Sequence, residues 1–201
     1  MYSNLPNFIL GFHGCDEKVA ERVLSGRVPH LPGSTNAYDW LGHGIYFWEQ
    51  NPFRALEYAN GLKAEPRRTS RGKDPIKTPA VVGAIIDLGN CLNLLESKSI
   101  EIVKASYDHL IATSNALGGD LPTNRGGRMF LDCLVIQTTH ELMEMQGKGY
   151  HSVRGAFIEG PKLYPDSNFH EKNHIQICVR NPNCIKGYFR PKSPLEDFDI
   201  P

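Results

Sequence analysis

Three short stretches place side chains able to do chemistry at the edges of apolar runs: His13 in GFHG (11–14), Tyr46 in GHGIYF (42–47), and His174 with Gln176 in HIQICV (174–179). A histidine at a strand end offers hydrogen bonds and proton transfer near neutral pH. The neighbouring Gly14 has no side chain, so its backbone can approach a ligand closely. Tyr46 supplies an aromatic face with a polar tip. Gln176 keeps an acceptor oxygen but has neither charge nor basicity. His174, two residues earlier, faces the same side of an extended strand. Taken singly, each has an ordinary structural reading: a hydrogen-bonded strand-end histidine, a core aromatic, a satisfied edge glutamine. Their combination and order are more specific than any one of them.

Other patterns carry less. HELME (140–144) begins like a zinc-protease helix but ends in Glu144 where the second histidine would stand. Cys15 lies two residues from His13, yet no third group is in place to orient such a pair, so it reads as a small buried thiol. No GxGxxG and no GxxxxGK[ST] occurs, which removes the usual phosphate cradles. The loop GGDLPTNRGGR connects two helices, with two arginines able to touch phosphate. Five scattered cysteines without a CxxC pair indicate neither a disulfide framework nor a zinc ribbon. The N-terminal stretch has no cationic region ahead of its short apolar run, and no segment approaches the roughly 20 apolar residues of a membrane span. A cytoplasmic protein without a membrane partner is the expectation.

The elements that must hold these residues follow from periodicity. NFILGF (7–12) is a buried strand expected to end near His13. From Asp16, Val19, Ala20, Val23 and Leu24 recur at helical spacing, with Gly26 as terminator. GIYFW (44–48) is a second strand, and Asn51-Pro52 caps a helix with Phe53, Leu56 and Ala59 on one face, stopped by Gly61. Residues 63–79 have six bases, two acids and almost no apolar content, which predicts a mobile basic loop. AVVGAIIDL (80–88) is a central strand, two helices occupy about 94–116 and 129–146, and strands follow at 153–159, 174–179 and 184–189. The sum is an α+β fold: one domain over 1–201, a mixed, mostly antiparallel β core with flanking helices, and a helical insertion at about 92–148.

A His-Gly closing the first strand, a G-x-G-I-Y-F followed by a helix of the form A-x-x-Y, and a polar residue leading a late strand resemble the diphtheria-toxin-like and poly(ADP-ribose)-polymerase-like ADP-ribosyltransferases. That superfamily is marked by a His-Tyr-Glu triad. The resemblance is carried by residues 8–60 and, through pattern, by 80–88 and 153–189. It implies NAD as substrate, no metal, and a catalytic set of His13, Tyr46 and Gln176. His13 would hydrogen-bond the adenosine ribose, Gly14 would hold the nicotinamide carboxamide through its backbone, and Tyr46 would pack on the nicotinamide ring. Phe12, Gly44 and Ile45 would belong to the same cofactor site, with Tyr58 as the second stacking face. Tyr58 sits one residue later than the family's spacing, and Arg54 stands where a small hydroxyl residue is common.

Gln176 stands where the family has its glutamate. The missing charge predicts single-unit transfer rather than polymer growth, with Glu159 and Glu171 competing as replacement carboxylates. The resemblance also implies that the connector 161–173 and His174 after it contact a macromolecular acceptor, through Tyr164, Phe169, Glu171 and His174; aromatics flanked by Lys162 and Lys172 favour nucleic acid, RNA included, slightly over protein. Small NAD-consuming chains of this kind resemble the toxins of bacterial toxin–antitoxin and phage-defence systems, which implies a protein antitoxin. A non-catalytic NAD or ADP-ribose binding module and an RNA 2′-phosphotransferase are the alternatives. The formal net charge is zero, but it conceals blocks of +4 over 63–77 and +5 over 145–192 against −4 over 78–144. Polyanions are therefore attracted to one face rather than excluded.

Overall fold

The computed structural model describes residues 8–69 and 74–192. The first apolar run forms β1 (Phe8–Asp16), which continues past His13 until Asp16 accepts from the Lys18 N–H and caps α1 (Glu17–Leu24). The helix buries Ala20 and Val23, as its spacing predicts. β2 (Ile45–Glu49) follows the loop, and Asn51 caps α2 (Pro52–Ala64) by accepting from the Arg54 N–H. The expected α2 face holds at Ala59 and is corrected at Phe53, which is exposed: the buried partner of Ala59 is Ala55, Leu56 is half-buried, and Gly61 lies within the helix. Close approach explains this, since a Cβ on Gly14 would lie 1.9 Å from the Ala55 carbonyl oxygen. Only small side chains fit where two backbones come so near.

Of the segment 63–79 expected to be a mobile loop, 63–64 end α2, 66–68 form a single 3₁₀ turn, and residues 70–73 lie outside the described residues. Then come β3 (Pro79–Asp87), β4 (Cys91–Asn93), α3 (Ser97–Leu117), α4 (Phe130–Met145), β5 (Ser152–Phe157), β6 (His174–Val179) and β7 (Ile185–Phe189). The three-residue β4 was not expected, because so short a run has no readable alternation. It pairs parallel with β5, so α3 and α4 form the crossover between two strands of the sheet rather than a detached insertion. No helix among the described residues is long and apolar enough to cross a membrane.

The α+β expectation holds: seven strands form one mixed sheet in the order β4-β5-β6-β2-β1-β3-β7, antiparallel except for β4–β5. One face carries α1 over Phe47, Val82, Ala84, Ile86 and Ile177. On the other, α2 covers Phe12, Trp48 and Val81, and α4 covers Leu92, Val153 and Cys178. Between α2 and α4 lies a strip of β2 and β6 that carries Trp48 and Gln176, which are register partners.

Candidate active site

The sheet splits at His13. Beside β3, β1 keeps nine registered pairs, from Phe8↔Asp87 to Asp16↔Pro79; beside β2 it keeps two, Gly11↔Glu49 and Phe12↔Trp48. The Gln50 N–H donates to the Leu10 carbonyl at 2.9 Å, so even-numbered β1 residues turn their backbone groups toward β2. The next even residue after the last pair is Gly14. Its N–H and C=O therefore face the gap, and its missing side chain is what lets α2 close over it. Across the gap, His13 Nδ1 donates to the Tyr46 carbonyl at 2.7 Å, a side chain taking the place of a ladder bond. In a neutral ring this makes Nε2 the acceptor. The His13 ring lies edge-on to Phe47, centroids 5.9 Å apart, on the face that α1 covers.

Tyr46 is committed to structure. Its hydroxyl donates to the Gly42 carbonyl at 2.7 Å and accepts from the Leu41 N–H at 2.9 Å, which ties β2 to the loop before it. Burial, above all, holds that hydroxyl well above the usual phenol range. Gly44 exchanges both backbone hydrogen bonds with Ser34, and a Cβ there would meet Cys178 Sγ at 2.6 Å. Ile45 is buried in the core beneath α1, and Phe12 beneath α2. Phe12, Gly44 and Ile45 thus build the frame around the split.

Gln176 anchors a second cluster on the α2 side. Its Nε2 lies 3.0 Å from His174 Nε2, and His174 Nδ1 lies 2.7 Å from the Lys172 carbonyl. Burial lowers the His174 pKa, the Arg54 cation adding to the effect against the Lys172 carbonyl, so the ring is neutral near pH 7. Arg54 pairs with Glu57 and, at 2.8 Å, with Glu159; Lys172 pairs with Glu57 from the other side. The Lys172 bond first, then Arg54, holds the Glu57 carboxyl below its usual range. Rings run alongside these charges. Trp40 stacks on Phe157 at 4.4 Å, Phe157 meets His174 at 5.7 Å, His174 meets Trp48 at 6.4 Å, and Trp48 meets Tyr58 at 5.0 Å. Trp48 Nε1 and Arg54 Nε are buried donors with no partner among the described residues. Buried polar groups are nearly always paired, so each of these two donors is open to an acceptor from outside the chain; the other orphaned atoms among the described residues, on His43, Thr69 and His140, lie elsewhere.

The connector before β6 is more ordered than a polar sequence suggests. Lys162 bridges His170, the Leu163 N–H donates to the Phe169 carbonyl at 3.0 Å, and Asp166 turns the tip with φ +61°. This extension of the β5–β6 hairpin exposes Leu163, Tyr164 and Phe169. Glu171 is exposed, and its N–H is held by the Pro161 carbonyl, away from the cluster. Glu159 is the carboxylate that reaches it, with Oε2 3.8 Å from His174 Nδ1.

The split therefore brings together His13, Gly14 and the Tyr46 backbone, and the strip brings together Gln176, His174 and Tyr58. Trp48, Arg54, Glu57 and Lys172 complete the site but were not singled out as its members from sequence. Trp48 carried a signal, since it alternates with Tyr46 on one face of β2; Arg54 and Glu57 share α2, but nothing local joins them to Lys172, more than 100 residues away. Burial pushes the Cys15 thiol up to about 12, consistent with a packed thiol rather than a nucleophile. HELME is dispersed: His140 is buried against Tyr150, and Glu144 pairs with Arg180.

The chain is 27% identical over 192 residues to an uncharacterized protein of Methanocaldococcus jannaschii, the match covering 87% of this chain and 83% of that one. No family model matches the chain, and no solved structure matches it.

Proposed function

We propose that this chain is a mono-ADP-ribosyltransferase, which breaks the nicotinamide–ribose bond of NAD and passes ADP-ribose to a macromolecular acceptor. The observation that carries this reading is the split of β1 from β2, where Gly14 turns its backbone edge into the gap beside the strip that holds Gln176. In this reading the Gly14 N–H and C=O hold the carboxamide, and His13 Nε2 accepts from a hydroxyl of the adenosine ribose. Trp48 and Tyr58 supply aromatic surface, and Gln176 Oε1 accepts from a hydroxyl of the nicotinamide ribose. The C1′–N bond breaks with its electron pair on nicotinamide, which leaves neutral. A lone pair of the acceptor forms the new bond to C1′, and the acceptor's proton passes to solvent.

An amide orients the sugar but stabilises an oxocarbenium-like transition state less than a carboxylate does. It also cannot deprotonate a ribose hydroxyl, so transfer stops at one unit and suits an acceptor that is already nucleophilic, such as a nucleobase nitrogen. The exposed Tyr164 and Phe169, with Lys162 and Lys172 beside them, favour a single-stranded nucleic acid. The uncharged Gln176 supports one other reading, a module that binds NAD without consuming it. A cytoplasmic toxin held in check by a protein antitoxin is the biological setting we favour.

Incubation with NAD labelled in its adenylate half and a cell extract is expected to give single-unit adducts that RNase removes and protease does not. Ladders of product would contradict the single-unit step, and protease-sensitive label would move the acceptor to protein. NAD binding without nicotinamide release would favour the binding module. Among variants, Gln176→Ala is expected to lose the most label and Glu159→Gln less, with Glu171→Gln unchanged.

A further inference from the structure

Gln176 differs from a carboxylate in more than charge. A carboxylate presents an acceptor whichever way it turns, whereas an amide presents an acceptor in one orientation and a donor in the other. Something must choose between them, and His174 is placed to do so. The Lys172 carbonyl only accepts, so His174 Nδ1, 2.7 Å away, carries the ring proton. The other nitrogen of the neutral ring, Nε2, is then a lone-pair acceptor, and the Gln176 group 3.0 Å from it must be the N–H. Turning the amide over would set two lone pairs against each other. Oε1 is left on the side away from His174.

The ring is well fixed for this task. Its side chain is 1% exposed and lies between Trp48 and Phe157. The charged groups that act on it are Glu159 from the hairpin extension and Arg54 and Glu57 from α2; Lys172, from the turn before β6, reaches it through its carbonyl while its ammonium pairs with Glu57.

We propose that His174 is a positioning residue whose neutral Nε2 holds the Gln176 amide so that Oε1 faces the ligand as a hydrogen-bond acceptor. The role of that oxygen rests on the transferase reading above, but the hold is a property of the folded chain. Protonating His174 makes both ring nitrogens donors. The amide then turns Oε1 toward the ring and offers an NH₂ to the ligand, which switches the site off in acid.

The hold is tested on the full chain without NAD, by long-range ¹H–¹⁵N spectra of the His174 ring. The Nδ1–H tautomer is expected at neutral pH, with the Nε2 resonance moving in Gln176→Leu; an Nε2–H tautomer would overturn the proposal. Nicotinamide release then tests the consequence. His174→Ala is expected to cost about 100-fold, the scale of losing one well-placed group at a polarised centre. His174→Gln, whose carbonyl can accept from the same amide, retains most of the rate and loses the acid limb of the pH profile. In a Gln176→Glu background, where no orientation can be lost, His174→Ala is expected to have little effect. An equal loss in both backgrounds would reduce His174 to a packing residue and contradict the proposal. An Nδ1–H tautomer in a chain that releases no nicotinamide would fault the transferase reading and leave the hold standing.

Discussion

The two edges of β1 belong to one strand and do opposite things. Along β3 it forms nine registered pairs, backed by Val82, Ala84 and Ile86, all fully buried; along β2 it forms two and then parts. The closed edge uses its backbone bonds to hold the sheet. The open edge leaves a glycine backbone, an imidazole and a tyrosine carbonyl facing a gap, with the Gln176 cluster on the adjoining strip. One continuous strand thus fixes the rigid part and presents the edge on which the proposed function rests, so changes at the two edges should separate stability from NAD turnover if that proposal holds.

The largest effect is expected away from both edges of β1, at His140 in the core beneath α4. It is 1% exposed, neither ring nitrogen has a partner among the described residues, and burial, helped by Arg180, lowers its pKa from 6.5 to about 3. A depressed folded pKa contributes stability above the unfolded value and loses it as pH falls. The chain should therefore lose about 4 kcal/mol between pH 6.5 and about 3 from this group alone. Denaturant melts of His140→Leu are expected to lose most of that slope. Next in size, Gly14→Ala puts a methyl into the Ala55 carbonyl and should cost about 3 kcal/mol, read as a lower melting temperature together with lost NAD binding. Val82→Ala, on the closed edge, should cost about 2 kcal/mol and leave NAD affinity unchanged. His13→Ala reverses that pattern, with nicotinamide release falling about 100-fold and stability by about 1 kcal/mol, the worth of one hydrogen bond. The smallest effect is Lys172→Met, whose exposed partner Glu57 makes the pair worth under about 1 kcal/mol in melts.

What the sequence disclosed divides along the same line. Alternation and helical spacing identified β1, β2, β3, β6, α1 and the paired helices, because burial imposes those periods directly. The α2 face was misread because apolarity pointed to Phe53, whereas the close approach of Gly14 selects alanines, and no local pattern announces an approach made by another strand. β4 was missed for its length. At the site, His13, Tyr46 and Gln176 stood out as polar breaks in apolar runs, but the pleat sends His13 to the α1 face and Gln176 to the α2 face. Tyr46 serves through its carbonyl and its loop-tying hydroxyl. The ion pairs Arg54–Glu159 and Glu57–Lys172 each span more than 100 residues of chain, a relation that composition and spacing do not encode; Arg54–Glu57 is an i,i+3 pair within α2.

The central claim is that the open edge of β1 and the Gln176 strip act together on NAD. Nicotinamide release by the purified chain, measured beside His13→Ala, Gln176→Ala and Val82→Ala, tests it most directly. The account predicts release by the wild type, retained by Val82→Ala and lost by about 100-fold in each of the other two while both stay folded. Release that survives His13→Ala and Gln176→Ala at the wild-type rate would contradict it.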